Sequence, residues 1–193
     1  METNTLRPTQ QLIVDAFKKH CVTEGDFTLA SGRKSKWYCI GRDLTFRGDS
    51  IELVGHAIMD ALEAGEKETG KILTNFDAVG GIVVGAIPVA MAVASVTGKN
   101  SFAVRKEPKG HGDGALIAGP LKPGQRVLIV EDTVTTGGSL LPSIEAVQNF
   151  GCEVIGVAAL LDRGGVISGI CEEKGLTFVS SISAPDLGFE LGS

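Results

Sequence analysis

The sequence has no Cys-x-x-Cys pair: its four cysteines, Cys21, Cys39, Cys152 and Cys171, are widely spaced. That excludes a zinc ribbon or a small disulfide framework and reads as reduced, mostly buried thiols of an intracellular protein. An excess of positive charge is also missing. The formal net charge of −5 argues against a general nucleic-acid binder, which needs a basic face. No secretory leader is legible, because Met1 to Arg7 is polar and has no apolar core. The longest uncharged stretch, Ala78 to Gly98, approaches the ~20 residues of a membrane span, but Gly80, Gly81, Gly85 and Pro88 divide it into a short strand, a turn and a helix. There is no G-x-x-x-x-G-K-[ST], since Asn100 follows Gly98-Lys99, and Gly80, Gly81 and Gly85 do not form G-x-G-x-x-G. A P-loop and a dinucleotide fingerprint are therefore excluded. Internal repeats and low-complexity tracts are absent too. The expectation is a cytoplasmic protein without membrane or nucleic-acid partners.

A chain of 193 residues suits one domain, 1–193, with a sizeable core. Leu12, Ile13, Ala16 and Phe17 have helical spacing, which predicts a helix over 10–20. Phe27 to Ile40 alternates and breaks at Ser31-Gly32, predicting a hairpin-like segment with Trp37 and Tyr38 on its second arm. Asp49 or Ser50 could cap a helix running to Ala64. Strands are then expected at 78–84, 101–104, 127–130, 154–161 and 176–180, with helices at 87–96, 140–149 and 166–174. Alternating strands and helices imply right-handed crossovers and a central parallel sheet flanked by helices. Residues 1–47 do not follow that rhythm and read as a helix and a small cap, or hood, over the sheet.

The most informative segment is 127–140. The apolar run Val127 to Val130 meets two acids, Glu131 and Asp132, and then Thr133-Val134-Thr135-Thr136-Gly137-Gly138-Ser139. Strand, acids, small-residue turn and helix in that order describe a polar site at the carboxyl end of a buried strand, where ligands of such sheets bind. Backbone N–H groups of the turn can converge on an anion, assisted by the following helix, while hydroxyls add donors. Carboxylates repel phosphate but suit sugar hydroxyls or a metal ion. A ribose 5-phosphate satisfies both halves. The competing reading is an ordinary strand–turn–helix with solvated acids. The segment closely resembles the signature of the type I phosphoribosyltransferases, which bind phosphoribosyl pyrophosphate (PRPP). The resemblance implies that fold, with Glu131 and Asp132 on the ribose hydroxyls and Thr133 to Ser139 carrying the phosphate end of PRPP.

A second segment, Arg105-Lys106-Glu107-Pro108-Lys109-Gly110-His111-Gly112-Asp113-Gly114, crowds cations among glycines. Its composition favours a flexible loop over a packed element. Such a loop could close on a pyrophosphate through Arg105, Lys106 and Lys109, with His111 donating to the leaving group; the alternative is a solvated turn. The pattern R-K-x-x-K-x-H-G, together with Phe27-Thr28-Leu29-Ala30-Ser31-Gly32-Arg33-Lys34-Ser35 and Asp162-Arg163, resembles orotate phosphoribosyltransferase, and these motifs span most of residues 27–163. The resemblance implies Mg²⁺ held through PRPP and water rather than by protein ligands, and a homodimer in which loop 105–114 reaches the neighbouring site. It implies catalytic roles for Lys109, His111, Arg105, Lys106 and Asp132. Orotate would meet Thr135, Arg163 and Tyr38. Two of these keep plainer alternatives: Arg163 as a surface ion pair with Asp162, and Trp37 and Tyr38 as hydrophobic packing of the cap.

The chain departs from many members at Ala30, where they carry lysine, and from some at Val84-Gly85, where a Tyr-Lys pair precedes G-I-P. Lys34 could replace one lost charge, and the Gly85 and Ala86 amides could face pyrophosphate. Two other functions share part of the pattern. A purine-base phosphoribosyltransferase would keep 127–140 but not the loop or the Phe27 to Ser35 segment. A non-catalytic PRPP-binding regulator would not need the loop cations.

Overall fold

The computed structural model describes residues 6–28, 34–107 and 116–192. Helix α1 (Pro8–His20) turns Ile13, Val14 and Phe17 inward. It leads into an antiparallel hairpin of β1 (Val22–Thr28) and β2 (Lys34–Cys39). A four-residue helix, α2 (Arg42–Thr45), and the long α3 (Ile51–Thr69) follow. The sheet then comprises β3 (Ala78–Ile82), β4 (Asn100–Val104), β5 (Ile117–Ala118), β6 (Arg126–Val134), β7 (Glu153–Asp162) and β8 (Phe178–Ser183). Helices α4 (Ala86–Thr97), α5 (Leu140–Asn149), α6 (Ile167–Glu173) and α7 (Ala184–Leu187) complete the chain.

The six strands lie in the order β5-β4-β3-β6-β7-β8. All neighbours are parallel except β4 with β5. From β3 the chain moves outward to β4 and β5; from β6 it moves the other way to β7 and β8. The adjacent β3 and β6 therefore form the topological switch point, and the crevice beyond their carboxyl ends is where such a sheet receives a ligand.

Two apolar layers cover the sheet. Leu128 and Val130 belong to a cluster with Phe17, Trp37 and Val93, on the α1, α3 and α4 side. Val127 and Ile129 belong to the other, with Leu140, Ile144 and Ile167 on the α5 and α6 side. This is the period-two alternation of a strand buried on both faces. Glycine lets the layers close: a Cβ on Gly81 of β3 would lie 2.3 Å from the Val130 carbonyl oxygen and 2.6 Å from the Ala86 Cβ. Only a residue without a side chain allows the start of α4 to approach β6 so closely.

The expected elements are present, with differences at their ends. Strand β6 does not stop before the acids but runs through them to Val134, because β7 continues the ladder, pairing Glu131 with Ala159, Thr133 with Leu161 and Val134 with Asp162. Helix α3 extends to Thr69 rather than to Ala64, ending where Gly70 adopts φ +70°. The short α2, β5 and α7 were not anticipated, being too brief to impose a period on the sequence.

Candidate active site

Glu131 and Asp132 occupy successive positions of a strand, so their side chains leave opposite faces. The contacts agree. The Ser139 hydroxyl, one residue before α5, donates to Glu131 Oε2 at 2.9 Å. Asp132 lies on the other side, against Gly85 at the start of α4 and Gly41 before α2: a Cβ on Gly85 would come within 2.8 Å of Asp132 Oδ1, and one on Gly41 within 3.0 Å of Asp132 Oδ2. The Thr133 N–H donates to Asp132 Oδ1 at 2.7 Å. Both acids border one cleft of about 280 Å³, which Tyr38, Arg42, Gly85 and Lys106 also line. The Val83–Val84 peptide beside it is cis.

A second cavity, of about 220 Å³, is enclosed by the turn itself, Thr133 through Ser139. The two spaces share Thr133 and Ser139. Gly137 adopts φ +82°, a conformation that suits glycine. Behind the turn, the Arg163 N–H donates to the Val134 carbonyl at 2.8 Å. A Cβ on Gly164 would stand 1.8 Å from the Thr135 carbonyl oxygen, so the β7–α6 loop is pressed directly against the turn. The Gly164 and Gly165 N–H groups both donate to Asp162 Oδ1 at 2.9 Å, which holds that loop in shape. Among the described residues, the buried Thr133 hydroxyl has no hydrogen-bond partner, leaving a polar group between the two spaces for a ligand.

Burial governs the titration of the acids. Glu131 is 4% exposed, and desolvation, followed by repulsion from Asp132, pushes its carboxyl up to about 8. Asp132 is also raised by burial, opposed by the Thr133 N–H and by the positive charge of Arg42. Burial therefore favours the protonated form of Glu131, and a ligand that brings positive charge favours release of that proton.

The structure brings together most of the residues singled out in the sequence. Tyr38, Lys106, Glu131, Asp132, Thr133 and Ser139 line the first cleft. Val134, Thr135, Thr136, Gly137 and Gly138 line the second. Trp37 and Tyr38, neighbours on β2, separate: Trp37 is fully buried in the core, whereas Tyr38 is 43% exposed. Arg105 is half-buried, its N–H bonded to the Leu116 carbonyl at 2.8 Å. Lys109, His111 and Ala30 lie outside the described residues.

Arg163, expected as an orotate contact or alternatively as a surface ion pair with Asp162, is not at the surface. It is 7% exposed, and its Cζ lies 4.0 Å from the centroid of a Trp37 ring. Its charge nevertheless acts on Cys39 of the first cleft, whose thiol burial pushes up to about 12, with Arg163 opposing that rise. Lys34 does not stand in for a lost cation: its Nζ donates to Thr28 Oγ1 at 2.7 Å on the hairpin. Arg42 lines the cleft instead. Sequence reasoning passed over it, and the one available signal was its position just past the hairpin that carries Tyr38.

A cleft with paired acids, joined to an amide-lined turn at the switch point of a parallel sheet, defines a phosphoribosyltransferase. Residues 52–168 match the family model described as the phosphoribosyl transferase domain. The chain is 39% identical to an orotate phosphoribosyltransferase of Rhodopirellula baltica over 183 residues, covering 92% of this chain and 93% of that one. A crystal structure of the Mycobacterium tuberculosis orotate phosphoribosyltransferase with inorganic phosphate superposes with a TM-score of 0.79 at 35% identity, covering 95% of this chain and all of the other. A second structure of that enzyme, in complex with PRPP, superposes with a TM-score of 0.74 at 34% identity, covering 94% of this chain. The chain belongs to the orotate phosphoribosyltransferase family.

The raised Glu131 carboxyl gives a pH signature. Its value in the fold, about 8, exceeds the ordinary 4.5, so the folded state holds the proton more tightly than the unfolded chain. That stabilisation is complete below about pH 4.5 and is lost as pH rises through about 8. The melting temperature of the ligand-free protein is expected to fall between pH 5 and pH 8, and Glu131→Gln should flatten that fall. Parallel melting profiles for the two proteins would show that the pair is not desolvated.

Proposed function

We propose that the protein transfers the 5-phosphoribosyl group of PRPP to N1 of orotate, giving orotidine 5′-monophosphate and pyrophosphate, a step of pyrimidine biosynthesis. The observation that carries this reading is the adjacency of the two cavities, which share Thr133 and Ser139 in their linings. A phosphate held by the 133–139 turn puts the ribose of the same molecule against Glu131 and Asp132. The phosphate and PRPP complexes of the relative accord with such a ligand.

As the bond between C1 and the pyrophosphate oxygen breaks, positive charge grows on the ribose ring. Glu131 and Asp132, held apart from water, are set to accept the ribose hydroxyls and to stabilise that cation, the arrangement in which preorganised charge is most effective. Developing positive charge also favours ionisation of acids whose burial resists it. On the other side of the breaking bond, Lys106 and Arg42 face the leaving pyrophosphate, with the Gly85 and Ala86 amides beside them. The resemblance would add Arg105, Lys109 and His111 to these cations on the pyrophosphate side. Tyr38 flanks the base, Thr135 borders both phosphate and base, and Arg163 pairs with the orotate carboxylate.

The donor set suits Mg²⁺ carried by the substrate. Hard carboxylate oxygens are present in Glu131 and Asp132, yet among the described residues no group of three or more His, Cys, Asp or Glu could hold a metal ion. The ion would thus draw most of its ligands from PRPP and water, neutralising charge on the leaving group. The hood is one unit with the sheet in this reading, since Phe17, Trp37 and Leu44 share a cluster with Val79 and Leu128. A homodimer is supported by α4, which contains no charged residue; Val84 just before it and Met91 within it are about half exposed. An apolar surface of that kind suits a second copy, which would lend its loop. Among the described residues no helix is long and apolar enough to cross a membrane, and we assign the enzyme to the cytoplasm.

The direct test is spectrophotometric: orotate should disappear with PRPP and Mg²⁺ present, and hypoxanthine or adenine should not be consumed. Turnover of a purine without orotate would reverse the base assignment, and PRPP binding without any turnover would favour a regulator. Arg42→Ala is expected to raise the KM for PRPP about tenfold, the effect of removing one charged contact, with Arg42→Lys recovering part of it. An unchanged KM would remove Arg42 from the pyrophosphate side.

A further inference from the structure

The carboxyl-terminal segment 184–192 reaches Arg163 directly through one backbone hydrogen bond and indirectly through Trp37 and Gly165. Phe189 stacks on Trp37 with ring centroids 4.3 Å apart and planes 4° from parallel, and the Arg163 guanidinium lies over a ring of the same Trp37 at 4.0 Å. The Gly192 N–H donates to the Arg163 carbonyl at 2.6 Å. Leu191 packs on the next turn residue but one, where a Cβ on Gly165 would lie 2.8 Å from the Leu191 Cδ1. The segment itself is fixed by its own caps. Asp186 accepts from both the Ser183 N–H at 2.7 Å and the Ser183 hydroxyl at 2.9 Å, and the chain reverses at Gly188, with φ +94°, before presenting Phe189.

We propose that this segment is a positioning strap for Arg163, and that Phe189, acting through Trp37, sets the direction in which the guanidinium meets the orotate carboxylate. The inference rests on the assignment of orotate to Arg163. A guanidinium binds a carboxylate best through two parallel N–H donors in one plane, and a free arginine side chain must surrender several torsions to offer them. An aromatic face removes much of that freedom beforehand, because the guanidinium plane is attracted to the ring. Trp37 is itself held in the core, and Phe189 stacks on its ring at the rim of that cluster. The Gly192 and Leu191 contacts fix the loop from which Arg163 springs. Phe189 is only half-buried and packs at the rim of the main cluster, so its ring is suited to tuning the arginine more than to holding the fold. Phe189, Leu191 and Gly192 line neither cavity, and the strap acts on base recognition without touching PRPP.

The test uses the full-length protein with Phe189→Leu, which keeps bulk and removes the ring, Phe189→Tyr, which keeps the ring, Arg163→Ala, and the Phe189→Leu/Arg163→Ala double variant. The orotate KM is measured for each, and PRPP affinity is measured by calorimetry without orotate. Phe189→Leu should raise the orotate KM about three- to tenfold, leave PRPP affinity unchanged, and add nothing in the Arg163→Ala background, while Phe189→Tyr behaves as the parent. Equal effects of leucine and tyrosine, a parallel loss of PRPP affinity, or a full additional loss in the Arg163→Ala background would each overturn the strap. So would an orotate KM that responds to Arg163→Ala but not to Phe189→Leu, and that outcome leaves the base-site assignment standing. If Arg163→Ala itself leaves the orotate KM unmoved, the base-site assignment and the strap both fail.

Discussion

Glu131 and Asp132 sit side by side at the end of a strand buried on both faces, and removing two like charges from water is unfavourable unless the surroundings offset it. Much of the site can be understood as that offset, left deliberately incomplete. The Ser139 hydroxyl and the Asp132 N–H reach the two oxygens of Glu131, and the Thr133 N–H reaches one oxygen of Asp132. Gly41 and Gly85 bring only backbone against Asp132, because any side chain there would strike the carboxylate. In the proposed reaction, the sugar hydroxyls and the cationic character of the breaking bond would supply what the protein leaves unsatisfied. A site whose empty state is electrostatically uncomfortable, and whose loaded state is not, directs its binding energy toward the charge that develops in the reaction.

The same economy explains the position of the phosphate turn. Strand β6 carries the acids past the point where an apolar sequence would end, since β7 continues to pair with it as far as Val134 and Asp162. The turn then begins directly beyond Val134, and the Arg163–Gly165 loop at the end of β7 presses on its back. The acids, the turn and Arg163 are thereby tied to the ends of two neighbouring strands, so a shift in one moves the others.

The order of elements was legible because each is long enough to show a period: α5 begins and ends at Leu140 and Asn149 as its spacing indicates. The acids and the small-residue turn were legible for another reason, since few chemistries call for two carboxylates next to an anion cradle. Three features were not. The extension of β6 depends on hydrogen bonds to β7, which no local pattern reports. Arg42 reaches the cleft only because α2 folds the chain back over it, and four residues carry no periodic signal. Arg163 was assigned to the site but not to its place over Trp37, because the two residues are far apart in the chain and meet only in the fold.

The most direct test of the account is a crystal structure of the complex with PRPP and Mg²⁺. The account predicts the 5′-phosphate inside the Thr135–Ser139 turn, the ribose hydroxyls within hydrogen-bond distance of Glu131 and Asp132, and the pyrophosphate toward Arg42 and Lys106. A PRPP bound with its 5′-phosphate among those cations and the turn empty, or with its ribose turned away from both acids, would contradict it.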